Sequence, residues 1–249
     1  MMDELIKKAA EDLVGAKMAT ALTGAGASIE SGIPPFRGKG GLWEKYDPME
    51  VAHIDTFLQN PTKAWNLLFK DMKEVLDKAT PNDSHKGLAK LEEFGILKTI
   101  ITQNVDGLHQ MAGNSDVIEF HGNMAWQRCM ECDAHYKSSR VDISELPPRC
   151  DCGGILRPNA ILFGEMIPQE ALWRSRQVAT DCDVMLVIGT SAVVQPAALM
   201  PVVAKDSGAK IIEINPERTL LTGDISDYLI SGTAGDVMNR IIADLEKML

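Results

Sequence analysis

The stretch T-G-A-G-A-S-I-E-S-G-I-P-P-F-R-G, residues 23–38, decides how the chain is read. Two glycines one residue apart follow a short apolar run, which is how a dinucleotide-binding loop begins. A dehydrogenase loop continues as G-x-G-x-x-G into a helix, with an acidic residue about 20 positions on. Here Ile29 stands three after Gly26, Gly32 comes late, and Pro34-Pro35 forbids a simple helix. The loop therefore begins as a dinucleotide-binding loop does, and its continuation argues against hydride transfer.

Working outward, apolar strand-like runs alternate with helical patterns. KMATALTG (17–24) feeds the loop, and GILKTIITQN (95–104) follows the helical segment SHKGLAKLEEF (84–94). SDVIEFHG (115–122), DVMLVIGTS (183–191), AKIIEINP (209–216) and DYLISGTAG (227–235) follow, and DVMNRIIADLEKML ends the chain as a helix. Apolar strands separated by helices predict a parallel sheet covered on both faces. Ligands bind beyond the carboxyl ends of such strands, so the polar residues there are the candidates. They are the backbone of 23–28, then Gln103, Asn104, Asp106 and His109, then His121, the Gly189-Thr190-Ser191 turn, and Asn215, Pro216 and Glu217.

Two segments interrupt the rhythm. Residues 36–80 hold a glycine-rich loop at 38–41 and a helix that Asn60 caps and Pro61 opens. Its stripe of Trp65, Leu68, Met72, Val75 and Leu76 reads as plain core. Residues 126–157 hold Cys129, Cys132, Cys150 and Cys152, spaced C-x-x-C and C-x-C. Four thiolates without histidine or carboxylate predict a closed, structural zinc site, against the alternative of four unrelated buried cysteines.

Bulk properties narrow the function. The chain has 249 residues, 45% of them hydrophobic and 24% charged, enough for one large domain with a small insert. The net charge of −10 argues against nucleic-acid binding. No apolar run approaches membrane-spanning length, and MMDELIKKAAEDL lacks signal-peptide order. It reads as an amphipathic helix facing inward through Leu5, Ile6, Ala9, Leu13 and Val14, and a cytoplasmic location is expected.

In combination and order, these motifs resemble the sirtuins, NAD-consuming protein lysine deacylases, and are similar to the archaeal and bacterial members. The match runs through GAG-x-S-x-x-SGIP-x-FR (24–37), QN-x-D (103–106), HG (121–122) and the four cysteines. It continues through RPN-x-x-x-FGE (157–165), GTS-x-VVQP (189–196) and INPE (214–217). The resemblance implies a Rossmann-like NAD-binding domain from 1–35, 81–125 and 158–249, a flexible cofactor loop with helical insert at 36–80, and a zinc ribbon at 126–157. It implies that Gly24, Ala25 and Gly26 lie along the pyrophosphate and that Phe36 and Arg37 lie near the nicotinamide. Gln103, Asn104 and Asp106 would serve the ribose and carboxamide. Gly189, Thr190, Ser191, Asn215, Pro216 and Glu217 would serve the phosphate and adenosine side, with Ala234 and Val237 near the adenine. His121 would be the general base, beside Asn104.

An acyl-lysine peptide would pair with 163–165 and 193–196, its lysine stem between Ile161, Phe163 and Val194. The implied products are deacylated lysine, O-acyl-ADP-ribose and nicotinamide. The subgroup that removes acidic acyl groups carries a tyrosine and an arginine where this chain has Leu68 and Asp71, so desuccinylation is expected to be weak. The other readings of the same residues are a mono-ADP-ribosyltransferase and a non-catalytic NAD-binding zinc module. No nucleic-acid or membrane partner is expected.

Overall fold

The computed structural model describes residues 2–37 and 40–249. Gly38 and Lys39 of the expected glycine-rich loop lie outside the described residues. Six apolar runs form one sheet from β1 (Ala19–Thr23), β2 (Leu97–Thr102), β3 (Val117–Glu119), β7 (Val184–Ile188), β8 (Lys210–Ile214) and β9 (Tyr228–Ile230). The order is β3-β2-β1-β7-β8-β9, and every pairing is parallel. β1 and β7 are buried along their whole length, as a sheet covered on both faces requires.

One apolar core joins a face of this sheet to the helices Met2–Val14, Asp83–Glu93 and Ala234–Met248. A second core joins the other face to Gln169–Asp181 and Met200–Asp206. In the first helix Ile6, Ala9 and Leu13 are buried as expected, but Val14 is exposed. It is the last residue of the helix, and the packed face ends at Leu13.

The sheet order reverses between β1 and β7. Thr23 lies level with Thr102 on one side and Ile188 on the other. The loops leaving β1, β2 and β7 therefore open on one crevice, at the topological switch point where α/β sheets bind ligands.

A smaller module covers that crevice. β4 (Gly122–Cys129), β5 (His135–Lys137) and β6 (Leu156–Ala160) make an antiparallel sheet in the order β5-β4-β6. It extends past the expected 126–157 boundaries at both ends, because β4 begins directly after His121 and pairs Gly122 with Ala160. Beside it, short helices lead to Pro61–Ala64, a π-helical turn at Trp65–Phe69, and Lys70–Leu76. Asn60 caps this rod by accepting from Lys63 N, with Pro61 in the first turn. Trp65 is fully buried and donates its indole N–H to Leu156 O at 3.0 Å, tying the insert to the cysteine module.

Candidate active site

A cavity of about 990 Å³ lies between the large sheet and the smaller module, at the upper end of the size of small-molecule sites. One wall is the switch-point loop. Gly26 donates its N–H to Gly189 O at 2.8 Å, and a Cβ on Gly26 would stand 2.6 Å from Gly189 Cα. The two strand-end loops thus interlock through bare backbone. The glycine serves loop–loop contact, and its amide is already bonded. The chain then runs through 3₁₀ turns at Ala25–Ala27 and Ile29–Ser31. Gly32 ends the second at φ 84°, a left-handed conformation glycine adopts without strain. The late glycine and the prolines turn the chain away from a helix and over the crevice.

Asn104, buried at the end of β2, gives its two Nδ2 hydrogens to Gly24 O and Ser28 Oγ, each at 3.0 Å. Its Oδ1 is thereby left as the acceptor. Ser28 donates to Asp106 Oδ2 at 2.7 Å, and Asp106 Oδ1 accepts from Leu108 N. Asp106, expected at the ribose, is not on the cavity wall. It stands behind Asn104 and orients it through Ser28.

Gln103 Nε2 donates to Thr190 Oγ1, and Asn215 Nδ2 donates to Thr190 O, both at 2.9 Å. The ends of β2, β7 and β8 are locked together around Thr190.

His121 follows β3. Its Nδ1 lies 3.1 Å from the Gln103 carbonyl, which can only accept, so Nδ1 carries the hydrogen and Nε2 is left basic. Burial lowers its pKa below 6.5 and outweighs the opposing pull of the Gln103 carbonyl. A neutral imidazole with one committed nitrogen can accept a proton at near-neutral pH.

Behind the site, the His85 and His109 rings meet at a tilt of 58°, their centroids 4.8 Å apart. His109 is 1% exposed, and burial, reinforced by the charge of His85, pushes its pKa down to about 3. Its Nε2 lies 2.9 Å from Thr23 Oγ1, which donates to Thr102 Oγ1.

The opposite wall comes from the small module and the insert. The Phe36 ring stacks on Trp43 at 5.4 Å, and Trp43 packs against Phe163. Phe163 gives its N–H to Ala52 O and accepts from Ile54 N, both at 2.9 Å. Arg157, 2% exposed, pairs with Glu165 at 2.6 Å and fixes the 162–165 turn. Burial alone would raise the Glu165 pKa, but Arg157 and the Leu162 N–H hold it below the ordinary value.

Most of the residues singled out from the sequence meet on this cavity: Gly24, Ala25, Gly26, Phe36, Arg37, Gln103, Asn104, His121, Ile161, Phe163, Gly189 to Ser191, Val194, Asn215 to Glu217 and Ala234. Val237 does not. It is fully buried in the sheet core on the inner face of the terminal helix. Leu68, expected at the acyl-group position, lines the wall together with Met72, read as plain core, while Asp71 is exposed and off it. The expected repulsion by Asp71 is therefore replaced by an apolar surface at Leu68. Trp43, Phe69, Met124, Arg218 and Leu220 also line the cavity and were missed. Arg218, three residues past Asn215, offered a signal, whereas the apolar ones carry no local mark that separates a cavity wall from core.

The four cysteines converge at the tip of the module, all Sγ atoms within 4.8 Å of one another. Cys129 and Cys152 are 3.5 Å apart, Cys132 and Cys150 3.6 Å. A tetrahedral metal with bonds of about 2.3 Å needs sulfur separations of roughly 3.8 Å, so the donor set fits one ion. Gly154 is required there, since a Cβ would stand 2.7 Å from Cys129 Sγ. Among the described residues no helix is long and apolar enough to cross a membrane.

A parallel sheet covered on both faces, a cavity at its switch point and a four-cysteine module beside it define a doubly wound α/β protein with a small inserted module. A model of the Sir2 family matches residues 24–196. The chain is 45% identical to NAD-dependent protein deacylase 1 of Archaeoglobus fulgidus, covering 100% of both chains. It is 42% identical to NAD-dependent protein deacylase of Pyrococcus abyssi, over 98% of this chain and 100% of that one. A solved Sir2 homolog–NAD complex superposes with a TM-score of 0.89 at 45% identity, over 97% of this chain and 94% of that one. A Sir2–p53 peptide–NAD+ complex does so at 0.88 and 35% identity, over 96% and 98%. The chain belongs to the Sir2 family.

Proposed function

We propose that this protein is an NAD-dependent protein lysine deacylase that transfers the acyl group from lysine to ADP-ribose and releases nicotinamide. The observation that carries this is His121. Its basic Nε2 is fixed by the Gln103 carbonyl, and it stands with Asn104 on a cavity shared by the cofactor-type loops and the 161–165 wall. NAD supplies an electrophilic ribose carbon and a leaving group. The apolar ring of Phe36, Trp43 and Phe163 excludes water from the reacting carbon, which would otherwise hydrolyse. Asn104 presents Oδ1 to the ribose side. His121 takes the proton of a ribose hydroxyl.

The substrate peptide adds as a strand between Gly164 and Val193, because the Phe163 amide and carbonyl are already bonded to the insert. The acyl group then meets Leu68 and Met72, a surface that favours uncharged acyl chains and leaves a succinyl carboxylate without a partner on that helix.

The four cysteines hold one structural zinc ion that shapes the module and takes no part in the chemistry. The large sheet binds NAD, and residues 36–80 and the cysteine module close over it. The acidic balance and the absence of a spanning helix among the described residues support a soluble, cytoplasmic enzyme acting on protein and not on nucleic acid.

The test is an acetyl-lysine peptide incubated with and without NAD and followed by mass spectrometry. Loss of acetyl with O-acetyl-ADP-ribose appearing, both only with NAD, is the expected result. Nicotinamide release with ADP-ribose attached to protein would replace this reading by ADP-ribosyl transfer, and no NAD consumption would overturn it.

A further inference from the structure

The connection between β8 and β9 forms the adenosine-side wall without regular secondary structure. Residues Pro216, Glu217, Arg218, Thr219 and Leu220 all face the cavity. What holds this loop is a carboxylate inside the sheet. On β8, Ile212 and Ile214 face one core, and Ile211 faces the other. Glu213 shares the side of Ile211, a position that strand alternation assigns to an apolar residue, and it is 1% exposed. A buried carboxylate is costly unless its lone pairs are filled. Here three hydroxyls fill them: Thr219 Oγ1 donates to Oε1 at 2.5 Å, and Thr222 Oγ1 and Ser226 Oγ donate to Oε2 at 2.8 and 2.9 Å.

Each threonine is also used a second time. Thr219 Oγ1 accepts from Leu221 N at 3.1 Å, and Thr222 Oγ1 accepts from Thr219 N at 2.9 Å. The carboxylate orients the hydroxyls, and the hydroxyls orient the backbone. Leu221, buried against the second core, is the pivot, its carbonyl accepting from Ile225 N and Ser226 N, both at 2.9 Å.

We infer that Glu213 is a positioning residue for NAD, setting the adenosine-side wall through Thr219 and Thr222 without touching the ligand. This rests on the proposed use of the cavity for NAD. The three hydroxyl donors belong to the very loop that lines the site, whereas a carboxylate kept only for the core would need no link to it. An apolar residue on β8 would pack as well and leave the loop free.

The experiment is steady-state kinetics on Glu213→Gln and Thr222→Val, with ADP-ribose Kd measured by calorimetry on the same proteins. Glutamine keeps one acceptor oxygen and turns the other into a donor facing hydroxyls that already donate. Valine removes one donor from a residue off the cavity wall. The expected result for Glu213→Gln is a rise of about tenfold in KM for NAD and in ADP-ribose Kd, the order expected for one lost hydrogen bond to a charged acceptor. Thr222→Val moves both the same way by about threefold. kcat and the KM for acyl peptide stay within about twofold of wild type.

An unchanged NAD KM and ADP-ribose Kd in both folded variants would overturn the inference. So would an equal loss in peptide KM and kcat, which marks a general structural role. If Glu213→Gln does not fold, Thr222→Val decides alone. If the wild type consumed no NAD, the proposed function would fall, while the ADP-ribose Kd values would still decide the role of Glu213.

Discussion

Lowering the pH from 7 to 5 should cost this protein stability, and one buried ring, His109, carries the most strongly depressed histidine pKa. His109 has an ordinary pKa of 6.5 when unfolded and about 3 when folded, because burial disfavours the imidazolium and His85 repels it. The hydrogen on Nε2 serves Thr23, and Nδ1, where a second proton would go, is buried with no partner among the described residues. The folded pKa is depressed, so the unfolded chain binds the proton first. Folding is unpenalised above pH 6.5 and loses stability as pH falls from there toward 3.

At pH 5 the unfolded ring is almost fully protonated and the folded ring almost not at all. The gap of about 1.5 pH units corresponds to about 2 kcal/mol. His109→Gln keeps a donor toward Thr23 and removes the titration. The assay is urea unfolding followed by tryptophan fluorescence at pH 7 and pH 5, for wild type and variant. Wild type should lose about 2 kcal/mol more than the variant between the two pH values. Acid effects on the cysteine module, on His121 and on the carboxylates occur in both proteins and cancel in the difference. Equal losses, within about 0.5 kcal/mol, would refute the reasoning, since His109 would then titrate alike in both states.

Other outcomes are also expected. His121→Ala should lower kcat by about 10²- to 10⁴-fold while ADP-ribose still binds, as measured by turnover and calorimetry. In wild type, kcat/KM should fall on the acid side with a midpoint below pH 6.5, because burial depresses the His121 pKa and the base must be neutral. Gly26→Ala should abolish NAD binding in a protein that still folds, because the new Cβ forces the β1 and β7 loops apart at Gly189. Circular dichroism and NAD titration would check it. Removing metal with a chelator should lower the melting temperature, and zinc should restore it. An unchanged transition would show that the four thiolates hold no structural ion.

The sheet could be read from the sequence because its causes are local. Apolar runs such as Val184–Ile188 state their burial on both faces, and the helices between them force parallel pairing. The grouping of the cysteines was equally readable, and His121 was singled out by its place in the family's motifs. Thiolate spacing carries its own chemistry, and a histidine at a strand end lies where α/β sheets place their ligands. Even the cap at Asn60 and the turn at Gly32 follow from backbone preferences within a few residues.

What failed to show was whatever depended on packing between distant segments. Val237 and Ala234 sit on one helix three residues apart, yet one lines the cavity and the other fills the core. Met72 carries a core pattern yet lines the cavity beside Leu68, because the small module leaves it facing the crevice. Asp106 belongs to the QN-x-D motif but reaches the site only through Ser28, 78 residues away in sequence. Glu213 looks like an ordinary charged residue at a strand end, and only the folded loop shows that three hydroxyls surround it. Sequence alone determined the strands and the grouping of the four cysteines, since periodicity and spacing act over a few residues. Tertiary structure alone decided which side chains face the ligand and which support them, since that is settled by how the module, the insert and the sheet meet across the crevice.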